Sequence, residues 1–369
     1  MYPRTEGSFR LPELESLGWN DRLSNLYEPF AGDDVVAGRV SIQHRGAYDV
    51  LTEAGELRCE VPRRLVHEAA TTADLPVVGD WVVVVPGAGT ETATGTISAV
   101  LPRLTKFSRK TAWQAAEEQV LAANIDVAFL VASMNEDLSL RRLERYLILA
   151  WESGARPVIV LTKADLHAAP EVAVAEVETI AGGVPVHAIS SVTGQGLDQV
   201  SELLGPGLTA VLLGSSGVGK STLVNTLAGE ELLATQEIRG DGTGRHTTTR
   251  RELIQLPSGG LVIDSPGIRE VQLWVADDGI DEAFEDVTEL FAHCKFSDCA
   301  HDREPGCAVR AALDDGTLPA ERWDSYLNLQ AELEHLERKL DKRAASEARK
   351  KWKALSAEGR ANMRLKGKR

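Results

Sequence analysis

Short apolar runs of strand length recur along the chain, and the stretches between them carry apolar residues at helical spacing. Val158–Leu161, Val184–Ile189, Leu208–Leu213 and Leu261–Ile263 read as strands of an open α/β sheet, and the residues after Ser221 continue as a helix. Between Val35 and Leu101 the pattern becomes shorter and often alternates: Gly38–Ile42, Ala47–Leu51, Val77–Val85 and Gly95–Leu101, separated by Gly, Pro and Asp. About five strands in so short a stretch predict a small OB-like barrel. Residues 321–340 read as a helix with Leu327, Leu329, Leu333, Leu336 and Leu340. The first 28 residues show little periodicity beyond Leu11, Leu14 and Leu17, so a peripheral arm is expected there.

Each sheet strand delivers a candidate chemical loop at its carboxyl end, where open α/β sheets bind ligands. After Leu213 comes Gly214-Ser215-Ser216-Gly217-Val218-Gly219-Lys220-Ser221, followed by Thr222. This is a phosphate-binding loop in the strand, loop, helix context it requires. Its glycines allow backbone N–H groups to face phosphate oxygens, Lys220 reaches the β- and γ-phosphates, and Ser221 ligates magnesium. After Leu161 comes Thr162-Lys163-Ala164-Asp165, the form of a guanine-reading loop. A carboxylate at Asp165 accepts from the guanine ring N–H and amine, and adenine would leave it unpaired, a mismatch worth roughly 10⁴-fold. Read alone, Asp165 is better taken as a cap on the next helix, and it is the pairing with the phosphate loop that favours base recognition. Ser190 and Ser191 stand where a small residue contacts the guanine oxygen, and Asp264 with Gly267 forms an Asp-x-x-Gly sensor of magnesium and γ-phosphate.

The order is the informative part. The base loop precedes the phosphate loop, the reverse of the usual arrangement, which predicts a circularly permuted Ras-like sheet with its new break just after Gly267. Gly240–Thr249, polar and Gly-rich, reads as the switch loop between phosphate loop and sensor. Thr248 is the candidate magnesium ligand within it. The residue after the sensor is Ile268, which cannot orient water as the usual Gln does. His246 is the first candidate for that task, with packing or RNA contact as the alternative. Arg245 and Arg269 are weaker candidates for stabilising transition-state charge.

Three of the four cysteines cluster with a histidine: Cys294, Cys299, His301 and Cys307. Three thiolates and one imidazole make a closed tetrahedral zinc set, structural rather than catalytic. His293 competes with His301 but adjacent ligands would strain the site. The net charge of −15 argues against a nucleic-acid partner until its distribution is considered. Arg338–Arg369 holds 13 Lys and Arg against three Asp and Glu, so a basic tail follows an acidic body. The tail could dock on RNA or simply remain solvated. Arg39, Arg45, Arg58, Arg63 and Arg64 could place the barrel against a phosphate backbone, and Arg103, Lys106, Arg109 and Lys110 read as a basic connector. No apolar run approaches the ~20 residues of a membrane span, so a cytoplasmic protein without a membrane partner is expected.

Together these modules resemble the bacterial ribosome small-subunit-dependent GTPases, the RsgA/YjeQ family. The resemblance implies an α/β fold: a circularly permuted P-loop GTPase with an N-terminal OB-like barrel and a C-terminal helical zinc-binding domain. The expected organisation is an arm over 1–34, the barrel over 35–102, the GTPase domain over 103–272, the zinc domain over 273–340 and the basic tail over 341–369. It further implies a protein that binds the small ribosomal subunit and its rRNA late in assembly and hydrolyses GTP to GDP when activated by the subunit; a monomer is expected. Hydrolysis would be coupled to release of other factors and to its own departure. Magnesium with GTP and one structural zinc ion are the implied cofactors.

Overall fold

The structure is a computed structural model that describes residues 13–44, 46–87, 94–110, 118–135, 138–233, 251–264, 283–320 and 322–331. His246, Thr248, Gly267, Ile268 and the basic tail therefore lie outside the described residues.

The barrel is built from β1 (Val36–Gln43), β2 (Tyr48–Thr52), β3 (Gly55–Glu60), β4 (Trp81–Pro86) and β5 (Thr94–Val100). Strand neighbours run β1-β2-β3-β5-β4, and β4 pairs again with β1, so the sheet closes on itself. Only the β3–β5 pair is parallel. Along β2 the alternation of buried Tyr48, Val50 and Thr52 with half-buried Asp49 and Leu51 points one face into the barrel. A short helix α1 (Asp21–Tyr27) precedes the barrel, with Asn20 capping it by accepting from the Leu23 amide at 3.1 Å. Helix α2 (Arg63–Glu68) bridges β3 and β4.

A hairpin of β6 (Lys106–Lys110) and β7 (Glu118–Ala123) leads into the parallel sheet. That sheet comprises β8 (Val127–Ser133), β9 (Arg156–Thr162), β10 (Val186–Ala188), β11 (Thr209–Leu213), β12 (Arg251–Gln255) and β13 (Leu261–Asp264). Between them run α3 (Leu140–Ser153), α4 (Pro170–Ala181), α5 (Leu197–Leu203) and α6 (Lys220–Ala228). The order is β10-β9-β8-β11-β13-β12, with only β12 antiparallel to its neighbour. β8, β9 and β11 are buried on both faces, which explains why they read as continuous apolar runs.

Barrel and parallel sheet are one surface: β12 pairs with β1 through Ile42↔Glu252 and Gln43↔Arg251. A bulge between Val40 and Ile42 bends β1, so its first half closes the barrel on β4 and its end joins β12. Arg39, immediately before the bulge, is 1% exposed. Its Nε donates to Gly79 O at 3.3 Å, its Nη2 to Asn124 O at 2.9 Å, and its Nη1 to Leu17 O. Burial pulls its pKa down to about 10 while Asp126 and Asp80 oppose the shift, so it stays charged near neutrality. This overturns the expectation that Arg39 faces RNA. Arg58 donates to Asp49 and Arg64 to Glu68 at 2.7 Å, while Arg63 and Arg64 on α2 are exposed.

Two other expectations change. Arg103 is a clamp rather than a connector, with Nε and Nη2 each 2.7 Å from the oxygens of fully buried Asp80, and with Ala73 O and Leu75 O as further acceptors. Lys106 pairs with Glu118 at 2.8 Å across the hairpin. Leu14, Leu17 and Leu23, expected in a peripheral arm, are buried in the main core, and Trp19 packs edge-on against Trp81 at 4.9 Å.

The chain divides into two compact units, one holding barrel and parallel sheet through Glu285, the other beginning its main segment at Asp286. The second contains most of α7 (Glu285–Phe291), α8 (Ala308–Asp315) and helical residues 322–331. Its Arg322, 4% exposed, grips Asp286 through two hydrogen bonds of 3.0 and 2.9 Å. Among the described residues no helix is long and apolar enough to cross a membrane.

Replacing Arg39 by Met should leave three carbonyls without this donor and lower the unfolding free energy of the first unit by about 3 kcal/mol in urea titrations. A loss below about 1 kcal/mol would show that the barrel is held to the sheet by other contacts.

Candidate functional site

The site forms where strands β9, β11 and β13 end. β11 runs into the loop 214–219, and α6 starts at Lys220 with Gly219 in the left-handed region at φ 98°. Gly214 has φ 155°, and a Cβ there would lie 2.3 Å from Val131 O, so no larger residue fits against β8. Lys220 is 7% exposed, and its Nζ donates to Gly214 O at 2.7 Å and Ser215 O at 2.5 Å. Ser216 and Gly217 are exposed at the loop crest, Val218 is buried beneath it, and Ser221 and Thr222 open the helix.

The base loop is docked onto this loop. Thr162 Oγ1 donates to Val218 O at 2.6 Å, with Ala132 O at 3.2 Å on its other side. Lys163, itself left-handed at φ 60°, donates from Nζ to Gly217 O at 3.0 Å. Its stem therefore lies across the space between the loops. Buried Ala164 donates its amide to Ile189 O at 3.0 Å, which ties the base loop to the loop carrying Ser190 and Ser191. Ser190 is fully buried, and its hydroxyl accepts from the amides of Val192 and Thr193 at 3.3 and 3.1 Å. Ser191 is half-buried beside it, and Asp165 projects from the same rim, exposed.

From the other side of β11 comes Asp264, 8% exposed, the last residue of β13. β13 is registered on β11 through Val211↔Ile263, so Asp264 follows that pair at the end of β13 where β11 runs toward the loop 214–219. A serine hydroxyl at α6 and a carboxylate at β13 are hard oxygen donors suited to magnesium. The structure thus brings together the base, small-residue, phosphate and sensor positions, while His246, Thr248 and Gly267 fall outside the described residues.

One contact has no counterpart in the motif reading. Arg142, in the first turn of α3, donates from Nη1 to Ser215 Oγ at 3.1 Å. Nothing in the local sequence signals it, because the two residues are 73 apart and meet only when β8 pairs with β11.

In the second unit the sulfurs of Cys294, Cys299 and Cys307 and a ring nitrogen of His301 all lie within 4.8 Å of one another. Tetrahedral coordination at about 2.3 Å for sulfur and 2.1 Å for nitrogen implies S–S edges near 3.8 Å and S–N edges near 3.6 Å. The Cys294–Cys307 sulfurs are 4.0 Å apart, and each is 3.5 Å from His301 Nδ1. The donor set fits a tetrahedral metal, and His293 is not part of it. The Phe291 ring stacks on the imidazole at 4.3 Å, and the Glu304 carboxylate accepts from the amides of Ala300, Asp302 and Arg303, shaping the turn. The Ala308 amide donates to Cys294 Sγ at 3.4 Å.

Because β9 lies beside β8 and β8 beside β11, the base loop reaches the phosphate loop although it comes first in the chain. That arrangement, with a closed barrel ahead of it and a Cys₃His cluster after it, defines a circularly permuted P-loop GTPase of modular type. Comparison with known proteins agrees. The RsgA GTPase family model matches residues 100–274. The small ribosomal subunit biogenesis GTPase RsgA of Opitutus terrae is 47% identical over 96% of this chain and 99% of its own. Among solved structures, YjeQ from Thermotoga maritima matches with a TM-score of 0.61 and 28% identity, over 81% of this chain and 98% of that one. YloQ, a circularly permuted GTPase, matches with a TM-score of 0.61 and 26% identity, over 82% and 96%. The chain belongs to the RsgA GTPase family.

Thr162→Val removes the hydroxyl that ties the base loop to Val218. Titration should show GTP and GDP affinity falling together by about tenfold, the equivalent of one lost hydrogen bond of ~1.4 kcal/mol. Unchanged affinity would mean that Lys163 alone holds the two loops together.

Proposed function

We propose that this protein is a GTPase of small ribosomal subunit maturation that binds the immature subunit and its rRNA in the cytoplasm, working as a monomer. It hydrolyses GTP when the subunit activates it, and hydrolysis drives release of bound factors and its own departure. The observation that supports this reading is the docking of Thr162 and Lys163 onto Val218 and Gly217, which joins the loop read as base-binding to the loop read as phosphate-binding.

In that site Asp165 accepts from the guanine N–H groups, the stem of Lys163 lies along the base, and Ser190 and Ser191 present backbone to the guanine oxygen. The amides of 214–219 and the positive end of α6 receive the phosphates, and Lys220 moves from its loop carbonyls to the β- and γ-phosphates. Ser221, Asp264 and Thr248 are the residues that would hold magnesium, which neutralises phosphate charge when bound. Water attacks the γ-phosphorus, the bond to the bridging oxygen breaks, and GDP and phosphate leave. Ile268 cannot orient that water, so His246 in the switch loop is the group proposed to orient it by accepting its hydrogen bond. Slow turnover without the subunit follows from this dependence on the switch loop.

The tetrahedral Cys₃His site suits zinc in a structural role, since all four positions are protein donors. With Arg39 buried, Arg58 paired with Asp49 and Arg64 paired with Glu68, the cations we assign to rRNA are Arg63 on α2 together with the basic tail beyond Arg338.

GTP turnover with and without purified small subunits tests the reading. Stimulation is expected for the wild type, loss of turnover for Lys220→Ala, and a fall of at least about 10²-fold in stimulated turnover for His246→Ala. Turnover indifferent to subunits would refute the proposed activation.

Metal analysis of the purified chain should give one zinc per chain, and chelation under reducing conditions should unfold the second unit while leaving GDP binding by the first intact. Full retention of the second unit's structure without metal would rule out the structural role.

A further inference from the structure

Two cations converge on the first part of the phosphate loop, and the loop motif accounts for only one of them. The contacts give the loop a direction. Its later residues, Gly217 and Val218, receive Lys163 and Thr162 from the base loop, which marks the nucleoside end. Its first residues, Gly214 and Ser215, receive Lys220 Nζ on their carbonyl oxygens, and this is the lysine whose reach extends to the β- and γ-phosphates. The loop therefore runs from the base at 217–218 to the distal phosphates at 214–215.

Arg142 meets the loop at that distal end, where its guanidinium donates to the Ser215 hydroxyl at 3.1 Å. The arginine is half-buried, in the first turn of a 14-residue helix packed over β8 and β9, so its place is set by rigid structure. Asp264 flanks the loop from β13, on the opposite side of β11 from the strand that leads into α3. A guanidinium is always ionised and presents several donors in a fixed fork, which suits it to hold a hydroxyl and still face phosphate oxygen. A charge at the distal end of such a loop bears most on the group that distinguishes a triphosphate from a diphosphate.

We propose that Arg142 is a positioning residue for the terminal phosphate: through Ser215 it fixes the start of the phosphate loop, and its charge favours GTP over GDP. The proposal rests on 214–222 being the phosphate loop.

Calorimetric titration of the full chain with GDP and with a non-hydrolysable GTP analogue, at low and high salt, separates charge from scaffolding. Arg142→Gln keeps a donor for Ser215 and removes the charge. It should weaken the analogue about tenfold and GDP by less than about threefold, and flatten the salt dependence of the analogue-to-GDP ratio. Arg142→Lys should restore most of that ratio. Ser215→Ala, which keeps the charge and loses the anchor, should lower it by a smaller factor. Equal losses for both nucleotides in Arg142→Gln, or no loss, would overturn the proposal by reducing Arg142 to a scaffold contact. Lys220→Ala run alongside isolates the premise: if it leaves both affinities unchanged, the loop assignment fails and the proposal with it. If Lys220→Ala weakens both nucleotides while Arg142→Gln leaves the ratio intact, only the role of Arg142 is refuted.

Discussion

The buried guanidinium of Arg39 is the contact on which the first unit's architecture depends. It reaches three backbone carbonyls that belong to different parts of the fold: Leu17 before the barrel, Gly79 ahead of β4, and Asn124 after the β6–β7 hairpin. Burying such a charge is strongly unfavourable unless its donors are all engaged, so once it is inside, each carbonyl must be present at its place. Gly79 is held from two sides, because Asn124 Nδ2 also donates to its oxygen at 3.1 Å. A Cβ at Gly79 would sit 2.2 Å from Ala123 O, and its φ of 90° suits only glycine. The Trp81 ring lies under the guanidinium at 5.4 Å and meets Trp19 edge-on, adding a cation–π contact to the hydrogen bonds.

What Arg39 fixes in side chains, β12 fixes in backbone. Glu252 is registered against Asp264 on one side and Ile42 on the other, and Ile42 is registered against Asp49. One row of strand pairings thus runs from the proposed magnesium and γ-phosphate sensor into the barrel. Neighbouring strands in such a row are about 4.8 Å apart and cannot slip by one residue without exchanging buried and exposed faces. Barrel and nucleotide sheet consequently behave as one body, and β12 is also the first described element after the switch loop. The sequence suggests two separate modules here, because a barrel and a parallel sheet each read as complete. Nothing in the apolar pattern of Val36–Gln43 says that its last two residues belong to a second sheet.

Features were legible in the sequence where their chemistry is local. The phosphate loop needs glycines and a lysine within eight residues, and the metal ligands fall between Cys294 and Cys307, so spacing alone exposed both. The barrel was legible as a class, yet β3 escaped because in Gly55–Glu60 only Cys59 is buried and the rest is polar or half-exposed. The arginines misled for the same reason that made them important. Arg39 and Arg103 look like a solvated basic face until their partners are known. Those partners are carbonyls and one carboxylate, up to 85 residues away for Arg39 and 30 for Arg103. Arg142 escaped likewise, since Ser215 lies across a strand pair. Long-range satisfaction of a buried cation leaves no periodic trace.

The permutation itself shows why chain order mattered less to the site than strand order. Thr162 and Val218 meet because β9, β8 and β11 are consecutive neighbours, and that adjacency is set by parallel pairing of apolar strands wherever the chain begins. The chemistry of the contact carries one consequence of the threonine. A hydroxyl has a single proton to donate, and two carbonyls compete for it, Val218 O at 2.6 Å and Ala132 O at 3.2 Å. The shorter distance assigns the proton to Val218, so the base loop is committed to the phosphate loop rather than to its own sheet. An asparagine amide, with two protons, could serve both at once. Threonine at this position therefore makes the junction of base and phosphate loops depend on one hydrogen bond, with the Lys163 ammonium on Gly217 as its neighbour.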